Sequence, residues 1–115
     1  MTIPDDQDQL SGLQRECEAA LDALIQRVLS ETAYQPTGFM QMVKEHGGVR
    51  TVRILLAGDR TGTELHPGLQ RLWKLGRLDL SIERFVAYEP RWVPLFSEDM
   101  RSRARSRLEA LEYRE

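Results

Sequence analysis

The stretch LSGLQRECEAALDALIQRV, residues 10–28, places Leu10, Leu13, Cys17, Ala20, Leu21, Leu24 and Val28 at steps of three and four. That spacing gathers apolar side chains into one stripe of an α-helix and leaves Gln, Arg, Glu and Asp on the other side. Upstream lie Pro4, Asp5, Asp6 and Asp8, which suit a helix start, where the macrodipole favours negative charge. The predicted first helix therefore covers residues 6–30. Its seam is close to heptad spacing, so it can pack along its own domain or pair with a second copy. Without complementary charges flanking the seam over three heptads, packing within the chain is the favoured reading.

Downstream, the same apolar pattern is cut into shorter pieces by Gly and Pro. Pro36 predicts the first position of a second helix, with Phe39, Met40 and Val43 inward and a stop at Gly47-Gly48. A third helix is expected over residues 49–57, with Val49, Val52, Leu55 and Leu56 inward and Arg50 and Arg53 outward. After the loop Asp59-Arg60-Thr61-Gly62, Thr61 and Glu64 have the spacing of a capping box. The helix they open presents Leu65, Leu69, Leu72 and Trp73 on one side and ends at Gly76. Asp79 or Ser81 caps a short helix carrying Ile82, Phe85 and Val86. Pro90 and Pro94 bracket a tight 3₁₀-type turn that buries Trp92, Leu95 and Phe96. Ser97 caps a terminal helix reaching residue 113, its inner positions Met100, Ala104, Leu108 and Leu111. Sustained apolar–polar alternation is absent. The expectation is an all-α, single small helical bundle of about six helices: a long N-terminal helix (1–33) and a compact module (34–115), forming one folding unit.

Composition limits the function classes. The chain has 115 residues, 41% hydrophobic and 30% charged, with a net charge of −2, the profile of a globular domain able to bury a core unaided. It is not a polycation overall, yet the charge is uneven. Residues 1–46 carry three basic and eight acidic side chains; residues 47–115 carry thirteen and ten, and twelve of those thirteen are Arg. Cys17 is the sole cysteine, so no internal disulfide can form and a reducing, cytoplasmic setting is expected. The acidic N-terminus is unlike a secretory signal, and no apolar run approaches the ~20 residues of a membrane span.

Candidate chemistry is sparse. His46 sits beside Gly47 at a helix end and His66 precedes Pro67, and neither has a ligand partner at metal spacing. Cys17 lies on the apolar stripe and reads as a small buried hydrophobe. The acidic pairs fall at predicted helix starts, and the Gly58–Gly62 loop lacks the lysine of a phosphate-binding loop. Two short helices at 49–57 and 63–75 raise a helix-turn-helix reading, but the turn is too long and the second helix presents Leu and Trp instead of polar base readers. No catalytic, cofactor or metal residues are expected, and the chain reads as a non-enzymatic module.

The terminal helix offers the main candidate. Arg101 and Arg105 share one face, and Arg103 and Arg107 the neighbouring one. Together they form a cationic flank suited to phosphate, hence a nucleic-acid partner, or to an acidic protein partner. A solvated face paired with carboxylates of the first helix or of Glu98, Asp99, Glu109 and Glu112 is the alternative.

One motif carries a resemblance. Gly47-Gly48-Val49, Leu55-Leu56, Gly68-Leu69 with Leu72-Trp73, the run Leu75-Gly76-Arg77-Leu78-Asp79-Leu80-Ser81-Ile82-Glu83, and Leu95-Phe96 resemble a small bacterial helical module of unassigned function. That module occurs alone or beside nuclease and restriction-type domains, and here the likeness covers residues 34–108. The resemblance implies a helical accessory module linked to DNA or phage defence, and it implies no reaction. Beside it, the leading reading of the residues is a module acting through protein–protein contacts, with a homodimer through the long first helix as one form and a nucleic-acid-associated accessory protein as the alternative. Within the motif, Arg77 is expected to bridge Asp79 or Glu83 and is a candidate interaction residue.

Overall fold

The computed structural model describes residues 6–57 and 67–115, with side chains from Leu10 onward. The expected Asp5, Asp6 and Asp8 helix start, the Asp59–Gly62 loop, the Thr61–Glu64 capping box, Leu65 and His66 lie outside the described residues or side chains. Among the described residues the fold is entirely helical: α1 (Asp6–Glu31), α2 (Thr37–His46), α3 (Gly48–Leu56), α4 (Pro67–Lys74), α5 (Ile82–Ala87) and α6 (Glu98–Ala110). Two 3₁₀ turns, Leu78–Leu80 and Pro90–Leu95, fill the connections.

The main core is drawn from both ends of the chain. Cys17 and Leu21 of α1 pack with Val49, Val52 and Leu56 of α3, Phe85 and Val86 of α5, Trp92, Leu95 and Phe96, and Ala104 of α6. Phe85 stacks on Trp92 with ring centroids 5.5 Å apart, a geometry that adds to simple area burial. Leu69, Leu78 and Leu108 form a second cluster, and Val28, Leu72 and Leu80 a third under α1. α1 buries Ile25 along with Cys17, Leu21 and Val28 of the expected stripe; Leu13, Ala20 and Leu24 are half-buried, and Leu10 at the stripe's start is 40% exposed. The outward residues of α1, among them Gln14, Arg15, Asp22, Gln26 and Arg27, are mostly polar and exposed.

Two serine caps are present as expected. Ser81 Oγ accepts from the Arg84 amide at the start of α5, and Ser97 Oγ from the Met100 amide at the start of α6. Elsewhere the structure departs from sequence expectation. Pro36 occupies the position before α2 and supplies no cap. α6 ends at Ala110, three residues short of the expected end, because the chain turns through Glu112 at φ 62° and the Tyr113 amide returns to the Leu108 carbonyl. Trp73, expected inward with Leu72, is 49% exposed. It follows Leu72 by one residue, a rotation of ~100° that carries it off the buried face of α4.

The Gly47-Gly48 pair has a tertiary reason beyond helix termination. Gly47 has φ +85°, open to glycine and strained for other residues. Gly48 lets α3 seat on α1: the amides of Gly48 and Val49 donate to the two carboxylate oxygens of Glu18, at 2.6 and 3.0 Å. A carboxylate at the positive end of α3 is the favourable sign for the helix dipole. A Cβ on Gly48 would stand 2.5 Å from Glu18 Oε2 and 2.9 Å from Leu21 Cδ1, too close for either atom.

Candidate functional site

The last four carbonyls of a helix have no partner within it and carry the negative end of its dipole. In this fold, arginines from other elements fill that role. Arg103 and Arg107 of α6 donate to the carbonyls of Leu56 and Leu55, the last two residues of α3. Arg105 donates to Ala87, the last residue of α5, at 3.3 Å, and its guanidinium lies 5.7 Å from the Tyr88 ring centroid. Arg101 reaches the Phe96 carbonyl at 3.3 Å, while Arg53 holds the Leu95 carbonyl through two nitrogens at 3.1 and 2.7 Å. Both contacts close the Pro90–Leu95 turn.

The four arginines of α6 therefore do not form one continuous outward flank. Arg107 is 3% exposed. Its Nη1 also lies 3.2 Å from Oε2 of Glu83, a fully buried carboxylate on α5. Arg107 Nε and Nη2 have no hydrogen-bond partner among the described residues. Arg101 and Arg103 are half-buried, and Arg105 is exposed. The alternating sequence spacing fans these side chains toward different helix ends; it does not line them up. Instead of the carboxylates considered from sequence, their partners are chiefly backbone carbonyls.

Arg77 joins two parts of the chain. Its guanidinium meets Asp79 at 3.1 Å and Glu31, at the end of α1, at 2.8 Å. Arg27 approaches the same Glu31 at 2.8 Å. Hydrogen bonds from Arg27 and Arg77 hold the Glu31 carboxyl down to about 2, well below its ordinary value. The expected bridge to Asp79 is present; Glu31, and not Glu83, is the second partner.

Of the nucleophile and ligand candidates, Cys17 is fully buried and burial pushes its thiol up to about 12, which suppresses the reactive thiolate. His46 is exposed, its Nε2 3.9 Å from a Glu45 carboxylate oxygen. Among the described residues no three His, Cys, Asp or Glu side chains converge where they could hold a metal ion, and no helix is long and apolar enough to cross a membrane.

Two features were not identified from sequence. One is an apolar cavity of about 450 Å³ between α1, α2 and α4, closed below by residues 80–82. Its size falls in the usual range for small-ligand sites. Its lining comes from five separate stretches of chain, so only the fold assembles it. The other is the exposed pair Trp73 and Leu75, 49% and 37% exposed at the end of α4. Trp73 at an apolar helix position was the available signal, but periodicity alone assigns it to the core. In comparisons with known proteins, no family model, no curated protein and no solved structure matches the chain.

Proposed function

We propose that the chain is a non-enzymatic helical interaction module that contacts a protein partner through the end of α4. The observation that carries this reading is Trp73, half exposed beside exposed Leu75 on a helix whose other face, Leu69 and Leu72, is already buried. Large aromatic side chains left at the surface are the groups from which interfaces draw most of their binding energy. The outer face of α1 supports self-association less well, because its exposed side chains are mostly polar. An accessory role beside nuclease or restriction-type proteins, implied by the resemblance of residues 34–108, belongs to the same proposal.

Site-specific photo-crosslinking in cells tests it, with the reactive group placed in turn at positions 73, 26 and 101. The reading predicts a discrete protein adduct from position 73 and none from position 26 on the outer face of α1. Adducts from position 26 alone would move the interface to α1, and a nucleic-acid adduct from position 101 alone would favour the arginine-bearing helix. Sedimentation of the wild type and Trp73→Ser then separates self-association from a different partner.

A further inference from the structure

The cavity between α1, α2 and α4 has an electrostatic asymmetry that its apolar walls make effective. Leu24, Val28, Phe39, Met42, Leu72 and Leu80 supply much of the lining, and no charged side chain is among its described lining residues. At one edge the cavity meets residues 35–38, the start of α2. No side chain caps that helix start and no acidic residue occupies its first turn. The amides of Gly38 and Phe39 have no acceptor among the described residues. The positive end of the α2 dipole thus faces the cavity edge with open donors.

A cation stands on the same side. Gly68 and Leu72 of α4 line the cavity, and Arg71, three and one residues from them, flanks that face. Arg71 is exposed, and its guanidinium makes no hydrogen bond or ion pair with a described residue. Its charge reaches the phenol of Tyr34, another lining residue: burial raises the phenol's proton affinity, and Arg71 opposes the shift.

We infer that this cavity binds one monoanionic amphiphile of the fatty-acid class, its aliphatic chain inside and its carboxylate at the start of α2 near Arg71. The apolar walls reward methylene burial. The open amides, the Tyr34 hydroxyl and the guanidinium select an anionic head over a cationic one. This site is separate from the Trp73 surface, so either reading can fail while the other stands.

Isothermal titration of the whole chain with straight-chain carboxylates from eight to fourteen carbons tests the inference, with dodecanol and dodecylammonium as head-group controls. Saturable one-to-one binding is expected, strengthening about fourfold per methylene until the cavity is filled. Dodecanoate should bind roughly three- to tenfold more tightly than dodecylammonium. Arg71→Glu, on an exposed residue, should weaken dodecanoate and leave dodecanol unchanged. Met42→Trp, which fills the cavity from a half-buried position, should abolish both, with circular dichroism confirming a retained fold. Absence of saturable binding, affinity independent of chain length, or equal affinity for dodecylammonium overturns the inference.

Discussion

On the α3–α5–α6 side of the domain, arginines from other elements meet the helix ends. On the α1–α2–α4 side, the Gly38 and Phe39 amides and the Arg71 guanidinium meet no side-chain partner among the described residues and border an apolar cavity. Both regions contain short helices with open backbone groups at their termini. In the first, Arg53, Arg101, Arg103, Arg105 and Arg107 satisfy those groups internally. In the second, Gly38, Phe39 and Arg71 retain the capacity to bind something else. Short helices leave more termini per residue than long ones, and guanidinium groups, with five donors on a long stem, can close them at a distance. The arginine content of the second half thereby has a structural use.

The largest predicted effect breaks the closed side. Arg107→Ala removes a buried cation beside buried Glu83 and should cost about 3–5 kcal/mol in chemical denaturation. Arg107→Met with Glu83→Gln should recover most of that loss, since removing both charges leaves neither buried alone. Next, Gly48→Ala forces a methyl against Glu18 and Leu21 and should cost about 1–3 kcal/mol. Ser97→Ala removes the α6 cap and should cost about 1 kcal/mol. A smaller effect concerns pH. Glu31 is held below its ordinary value of 4.5, at about 2, so its contribution to stability is present above that ordinary value and is lost as the pH falls toward about 2. Glu31→Gln should flatten the acid limb of a thermal-stability profile over that interval. On the open side, Arg71→Ala and Trp73→Ser should leave stability within about 0.5 kcal/mol, because neither side chain closes the fold.

The same contrast explains what was legible in the sequence. Helix number, the Ser81 and Ser97 caps, and the buried Trp92, Leu95 and Phe96 all follow from local rules of spacing, capping and proline placement. The reach of Arg107 to Leu55, 52 positions away, follows from no local rule. On α6 alone an arginine flank looks solvated, and only the α3 terminus beside it turns two of those side chains inward. Glu18 was unreadable for the same reason: its two amide partners lie 30 and 31 residues downstream. Trp73 misled because helical periodicity gives an angular position and not the distance to a neighbouring helix. The cavity exists only once α1, α2 and α4 are packed over residues 80–82.

The arginines of α6 close helix ends within the domain. Nuclear magnetic resonance of the guanidinium groups reads that property residue by residue. Protected protons and slowed rotation are expected for Arg103 and Arg107, against averaged, rapidly exchanging signals for exposed Arg50 and Arg114. If Arg103 and Arg107 rotated and exchanged as freely as Arg50 and Arg114, the closed side of the domain would be contradicted.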